Sequence, residues 1–439
     1  MIGLSGEIWG AIDFAPQPDS VWIREASQAL AGQGSTHSVG CCLLKAARPF
    51  SNPATTREFI PAEHLRGLQI AAQARLHNRG DLIDRFDSEL SNDLTDDALL
   101  ILLAYQKWGQ DCGRHLIGEF TFAIWNEISR ELFCCRDHMG FRPFVYWQQG
   151  TRFVFSSDLR YVLRTPGVPR RLNARKFAGL TIYGGAALHH EDTFHAEIQS
   201  LPGGNCLTVS FKGVQKSRFW QPEIRPELVP RRRSDAFEAL RELLSAAVEN
   251  RMADDVPVAA ELSGGLDSSA IVAVAARTLE KRGRTLLALS SVLSEESLRL
   301  YSDERRFAEE FRSSPNIQIE YVTAEGRGPF DDIEDCEQFT VTPIRPAIYY
   351  LQVARNQRAW SQGARLRLRG LLGEMGPTAS GDRYLIELAV KLRWPELWKQ
   401  LRGFEKVEHV APFRYFARQV WKIAAPHLPG NNSQQVLLT

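Results

Sequence analysis

Leu262-Ser263-Gly264-Gly265-Leu266-Asp267-Ser268-Ser269 constrains this chain more than any other stretch. The apolar run 256–262 leads into it and reads as a buried strand, and the helix-patterned run 269–282 leads out. Two glycines between strand and helix let the backbone approach a ligand closely, because neither carries a Cβ. The first N–H groups of the following helix have no intrahelical acceptor and carry partial positive charge. Such a loop suits an anion, above all a phosphate chain. It is not the G-x-x-x-x-G-K-[ST] mononucleotide loop, whose lysine it lacks. Asp267 brings instead a carboxylate able to hold Mg²⁺ against phosphates. The plain structural alternative is a glycine turn with a serine N-cap.

The segments after the loop alternate in type. A helical stripe of Phe237, Leu240, Leu243, Leu244 and Ala247 precedes strand 256–262. Strands are expected over 285–293, 317–322 and 366–372, with helices over 304–311 and 346–362 between them. That alternation predicts a doubly wound parallel sheet, whose ligands bind beyond the carboxyl ends of the strands. Three further strand-end features therefore matter: Ser290-Ser291-Val292, Ser302-Asp303-Glu304-Arg305, and Arg369-Gly370-Leu371-Leu372-Gly373-Glu374-Met375-Gly376-Pro377. Asp303 and Glu304 are either a helix cap with dipole-complementing acids or an acidic pair near a ligand. Helices over 385–392 and 395–404 follow. Trp394, Trp398, Phe413, Tyr415, Phe416 and Trp421 form a cluster that suits core packing or a peptide groove. The stretch 429–435 reads as disordered.

The front half has a different period. Strands are expected over 1–10, 38–44, 67–76, 120–125, 131–135, 144–147, 153–155 and 206–211, with helices over 96–108 and 172–180. This predicts stacked antiparallel sheets flanked by helices. Proline and Arg231-Arg232-Arg233 mark 223–235 as a linker. The domains are then 1–222 and 236–439 of a 439-residue chain. A net charge of +1 favours neither nucleic acid nor a membrane surface. No run long enough to span a bilayer, no signal-peptide pattern and no metal spacing among the seven cysteines occurs. A reducing cytoplasmic setting is expected.

The loop resembles the pyrophosphate loop of the N-type ATP pyrophosphatases, especially the asparagine synthetase superfamily, whose members adenylate a carboxylate, release pyrophosphate and let an amine attack. The resemblance implies ATP bound by Leu262, Ser263, Gly264, Gly265, Leu266, Asp267, Ser268 and Ser269. It implies adenine held at Ser291 and Val292, a further contact at Gly370, and substrate near Asp303 and Glu304. Asp267 and Glu374 would be the catalytic carboxylates and the Mg²⁺ ligands. In the front half, Trp108-Gly109, Gly118-Glu119-Phe120-Thr121-Phe122-Ala123-Ile124-Trp125-Asn126, Arg136-Asp137-His138-Met139-Gly140-Phe141-Arg142-Pro143-Phe144, Phe153-Val154-Phe155-Ser156-Ser157-Asp158, Leu201-Pro202-Gly203-Gly204 and Phe219-Trp220 resemble the glutaminase domain of class II amidotransferases. That implies an αββα N-terminal-nucleophile fold before the parallel-sheet ATP pyrophosphatase domain.

Here the sequence departs from the family. The nucleophilic cysteine that opens a working glutaminase is replaced by Ile2, which has no nucleophile. Cys41 and Cys42 lie in an apolar strand pattern, and Ala74-Arg75-Leu76-His77-Asn78-Arg79 stands where the family carries an N-G-E type segment. The front domain is expected to be an inactive scaffold. The variant Gly373-Glu374-Met375-Gly376-Pro377-Thr378 is similar to that of bacterial lasso-peptide cyclases. It implies a precursor peptide as substrate, closed to a macrolactam, and its processing protease as partner. Aspartate plus ammonia is the alternative substrate pair, and a nucleotide-binding scaffold without turnover is a further reading. By the same resemblance the chain is C-terminally shortened, with Lys399, Lys406 and Lys422 as candidate late cations.

Overall fold

The computed structural model describes residues 8–29, 35–39, 42–46, 67–86, 96–183, 191–223, 225–228, 232–252, 256–299, 303–323, 326–331, 349–371, 373, 378, 382–408 and 411–424. The front half contributes strands β1 (Ile8–Asp13), β2 (Ser35–Val39), β3 (Cys42–Ala46), β4 (Leu68–Leu76), β5 (Gly118–Asn126) and β6 (Glu131–Arg136), then β7 (Val145–Gln149), β8 (Arg152–Ser156), β9 (Ile198–Ser200), β10 (Asn205–Ser210) and β11 (Gly213–Arg218). They form two sheets, ordered β2-β3-β1-β8-β7-β9 and β11-β10-β6-β5-β4, with antiparallel pairing.

Alternation along each strand stacks the layers. Ile8 and Ile12 of β1 enter the core between the sheets, with Phe144, Phe153, Phe155 and Trp125. Trp9 and Ala11 face the other way, onto Trp22, Ile23 and Val162 of helices Ser20–Ala29 and Leu159–Arg164. On the second sheet, Phe120, Phe122 and Ile124 turn outward to helices Arg79–Phe86 and Asp97–Trp108. The result is the expected αββα sandwich. Several glutaminase-like strings hold this frame together. Arg136 donates to the carbonyls of Gly140, Arg142 and Leu201, while the Asp137 carboxylate accepts from the N–H groups of Phe141 and Arg142. Ser156 and Ser157 stitch the end of β8 to Ile8.

The single strand expected over 38–44 is instead two, β2 and β3, paired with Val39 opposite Cys42. The apolar pattern runs across the connection unbroken, so it carries no mark of the reversal. Strands β9 and β11 were also not legible: β9 is three residues long and β11 is mostly exposed, with no buried face.

The second half builds β12 (Val258–Glu261), β13 (Leu286–Ser291), β14 (Ile317–Val322) and β15 (Leu366–Leu368), in the order β14-β13-β12-β15, all parallel. The chain steps outward from β12 to β14 and then returns to the opposite side of β12. Helices Arg233–Arg251 and Leu266–Glu280 cover one face, and helix Tyr349–Ser361 the other. The reversal point, where a doubly wound sheet opens a crevice, lies between β12 and β15.

Three boundaries shift. The helix expected over 269–282 begins at Leu266. The strand expected to reach 372 ends at Leu368. Helix Arg233–Arg251 begins inside the expected linker. At the far end, helices Asp382–Val390, Trp394–Glu408 and Pro412–Ala424 pack around Leu385, Leu388, Leu397 and Leu401, with Tyr415 and Phe416 against them. Trp394, Trp398, Phe413 and Trp421 are instead exposed, which corrects the expectation of a shared aromatic core. No helix among the described residues is long and apolar enough to cross a membrane.

Candidate functional site

The crevice between β12 and β15 is built from the glycine loop on one side and the segment after β15 on the other. Gly264 takes φ 79°, a conformation open to glycine and strained for most other residues. A Cβ there would lie 2.9 Å from Phe307 Cβ and 3.1 Å from Glu304 Cβ, so the loop lies tight against the start of helix Arg305–Glu309. The loop is locked from within. Ser268 Oγ accepts from Ser263 N–H at 3.1 Å and lies 2.9 Å from Ser263 Oγ. It also lies 3.1 Å from Gly265 O, to which it donates. Gly265 is the N-cap of helix Leu266–Glu280 and makes no side-chain cap bond. Ser263, Gly265 and Leu266 are exposed. The first turn of a fifteen-residue helix therefore opens on the crevice, ringed by glycine and serine.

Asp267 lies in that first turn. Both its oxygens accept from the Thr378 hydroxyl, at 2.9 and 3.0 Å. Gly370 comes so near that a Cβ would stand 2.8 Å from Ser268 N and 3.0 Å from Asp267 C. A Cβ on Gly373 would overlap the Asp267 carboxylate. The segment after β15 therefore closes directly on the loop, and its glycines permit the approach.

Of the predicted residues, the structure brings together Leu262, Ser263, Gly264, Gly265, Leu266, Asp267, Ser268, Ser269 and Gly370, with Glu304 against Gly264. Leu262 is buried, its N–H donating to Leu289 O, and anchors the loop rather than facing the crevice. Ser291 ends β13, with its hydroxyl buried and without a hydrogen-bond partner. The Val292 N–H donates to Val322 O, so a backbone contact with a base there would fall to a carbonyl rather than to this N–H. Asp303 is also committed. Its carboxylate accepts from Leu293 N–H at 3.0 Å and Arg305 N–H at 3.1 Å. Burial opposes its ionisation, but those bonds and the Arg305 guanidinium hold it below the usual carboxylate range. These bonds tie Asp303 to the backbone on both sides of the turn that precedes helix Arg305–Glu309.

Glu374 and Ile2 lie outside the described residues, as do Cys41 and Ser302. Among the described residues no group of three or more His, Cys, Asp or Glu is placed to hold a metal ion; of the two predicted Mg²⁺ ligands, Asp267 is among the described residues and Glu374 is not. Lys399 is exposed on helix Trp394–Glu408. The described thiols are poor substitutes for a glutaminase nucleophile. Cys112, Cys134, Cys135 and Cys206 are buried, and burial pushes the first three thiols up. Asn78 and Arg79, in the altered segment, are structural pins: Asn78 bonds Ile117 N–H and His115 O, and Arg79 pairs with Asp97.

Two features escaped the sequence reading. Thr378 was visible only as one letter of a loop string. Glu261 at the end of β12 and Arg367 and Arg369 at the end of β15 gather with Arg355; their trace is charge inside apolar strands, V-A-A-E-L and L-R-L-R.

Residues 63–220 match the glutamine amidotransferase domain family, and residues 239–427 match the asparagine synthase family. Asparagine synthetase [glutamine-hydrolyzing] 3 of Bacillus subtilis is 34% identical over 207 residues, which is 46% of this chain and 33% of that protein. Asparagine synthetase [glutamine-hydrolyzing] 2 of the same organism is 28% identical over 215 residues, 46% of this chain and 28% of that protein. The chain thus spans about a third of the length of these relatives. A solved glutamine phosphoribosylpyrophosphate amidotransferase of B. subtilis covers 84% of this chain and 92% of its own at 12% identity with a TM-score of 0.36, a likeness too loose to bear on the site. The front αββα sandwich thus matches the glutamine amidotransferase domain family and the parallel-sheet half matches the asparagine synthase family, the two kinds of domain in the order in which the chain carries them.

Proposed function

We propose that the chain is an ATP-dependent carbon–nitrogen ligase that activates a carboxylate as an acyl-adenylate, releases pyrophosphate and transfers the acyl group to an amine. The uncapped start of helix Leu266–Glu280 at the sheet's reversal point, within the stretch matching asparagine synthase, carries this reading. Helix N–H groups and the Gly264–Gly265 backbone offset charge on the phosphates and on the leaving pyrophosphate. Asp267, held by Thr378, is the group that would ligate Mg²⁺, which supplies charge neutralisation at the phosphates. With the front domain read as an inactive scaffold, the amine is free ammonia or an amine of the substrate. Aspartate is the first acceptor to test, since it fits the relatives' names.

A peptide carboxylate, as in a lasso-peptide cyclase acting with a processing protease, is the second reading. Trp394, Phe413 and Trp421, large apolar side chains exposed by 56, 79 and 64% on the helices after the sheet, favour it.

Pyrophosphate release from magnesium-ATP, followed with aspartate plus ammonium and separately with a candidate peptide, tests both. Release with aspartate and formation of asparagine from ammonium but not glutamine is expected. Pyrophosphate released with neither acid would sink the ligase reading. Asp267→Ala should lower turnover about a hundredfold or more, and unchanged turnover would remove Asp267 from the phosphate site.

A further inference from the structure

Helix Pro412–Ala424 buries only part of its apolar surface. Tyr415 and Phe416 pack against the cluster of Leu385, Leu388, Leu397 and Leu401. The apolar arc does not stop there. At about 100° per residue it continues from Phe416 through Val420 and Phe413 to Trp421, and these last three side chains are exposed. On the flank beyond Trp421, positions 414, 418 and 422 carry arginine, arginine and lysine in one row along the helix. The helix contains no acidic residue, and among the described residues neither Arg414 nor Arg418 makes an ion pair. The neighbouring helix Trp394–Glu408 adds the exposed Trp398, with the Arg402 guanidinium 5.3 Å from its ring centre. Residues 382–424 hold nine Lys or Arg against five Asp or Glu, a local excess concealed by the net charge of +1 for the whole chain. Exposure alone is not the signal. Helix Arg233–Arg251 also presents Phe237 and Leu243 to solvent, but Glu238 and Glu242 stand among them, so its surface is mixed in sign.

Uncovered aromatic rings beside a basic row call for an occupant that accepts apolar side chains and carries negative charge. A second copy of this chain fails on charge, because pairing the face with itself sets like charges together. A bilayer surface with anionic headgroups meets both demands: aromatic rings settle at the headgroup level, and arginine reaches phosphate from the same depth. We propose that helix Pro412–Ala424 lies in the interface of an anionic lipid membrane, with Phe413, Val420 and Trp421 at the boundary between headgroups and acyl chains and Arg414 and Arg418 on the lipid phosphates. The helix is too short and too basic to span the bilayer, so the contact is peripheral and reversible. The membrane site rests on this helix and its neighbours, not on the ligase reading. It gives Phe413 and Trp421 to lipid rather than to a substrate peptide.

The full chain is mixed with vesicles of phosphatidylcholine alone, or of equal parts phosphatidylcholine and phosphatidylglycerol, and the bound fraction is read by sedimentation at rising salt. Wild type is expected to bind the anionic vesicles about tenfold or more tightly than the neutral ones, and to dissociate as salt rises. Phe413→Ser with Trp421→Ser should weaken that binding about tenfold or more, and Arg414→Gln with Arg418→Gln should remove most of the preference for anionic lipid. Leu243→Ser, which removes an exposed apolar side chain from the mixed-charge helix, should leave binding unchanged. All these side chains are exposed, and circular dichroism reports whether each variant keeps its helix content. No binding of folded wild type to the anionic vesicles, equal binding to both kinds, or binding lowered no more by the Phe413 and Trp421 pair than by Leu243→Ser overturns the membrane site. Two other results overturn it by assigning the face elsewhere. A candidate precursor peptide that binds wild type but not the Phe413 and Trp421 variant, with no vesicle binding, gives the face to a peptide. A dimer in sedimentation equilibrium that the same variant dissolves, again with no vesicle binding, gives it to a second copy.

Discussion

At the scale of single residues, Thr378 and Gly370 decide whether the loop keeps its shape. The Thr378 hydroxyl bonds both Asp267 oxygens, so Thr378→Val leaves the carboxylate in place but unheld. ATP-dependent pyrophosphate release should fall about tenfold, with little change in thermal stability, because the residue is exposed. An unchanged rate would mean that Asp267 needs no such restraint. Gly370→Ala acts by volume. Its Cβ would stand 2.8 Å from Ser268 N, so the helix start must move, at a cost of about 1–3 kcal/mol, read as a lower urea midpoint and weaker ATP binding. Full stability and affinity would show that the segment after β15 can retreat. The loop itself was legible because its glycines and Asp267 act through backbone and chain order. Thr378 was not, since a threonine's importance here depends on which loop folds back on which strand end, a long-range fact with no periodic trace.

Elements divide along the same line. Strands β5, β6, β7, β8 and β10 and helix Asp97–Trp108 stand where apolar alternation and the Asp96 cap put them, because each buries a face against a neighbouring layer. The start of helix Leu266–Glu280 was placed three residues late, since an exposed Leu266 and two polar residues give a helical first turn no apolar stripe to announce it. Asp303 ties two elements together, bonding the residue range after β13 to the start of helix Arg305–Glu309. Asp303→Ala should cost about 1–2 kcal/mol near neutral pH. A carboxyl held low in the folded state contributes stability above its ordinary value and loses that contribution as pH falls through the lowered one. The difference between wild type and variant should therefore be full at about pH 7 and shrink below about pH 4. Urea melts at several pH values measure it, and a gap independent of pH would show that the ionised carboxylate is not what matters.

Across the whole molecule, the two matched halves meet through charge as well as through the chain. Arg251, the last residue of helix Arg233–Arg251, reaches Glu119 at the start of β5, with Nε 3.2 Å from the carboxylate. Glu119 also faces Arg142 at 3.8 Å. Its side chain is 11% exposed against 38% for Arg251, so the pair is sheltered from solvent on the front-domain side. If the front domain serves as a scaffold, this contact is where scaffolding is felt. Glu119→Gln and Arg251→Gln, singly and together, form a double-mutant cycle in which a coupling of about 1 kcal/mol is expected. It should weaken only modestly with added salt, because Glu119 is shielded. The single substitutions should also let the halves unfold apart, so that fluorescence from the front-domain tryptophans and loss of ATP binding no longer share one denaturant midpoint. Additive effects with coincident midpoints would mean that the halves are neighbours without being coupled, and that whatever the front domain does for the crevice passes through other contacts.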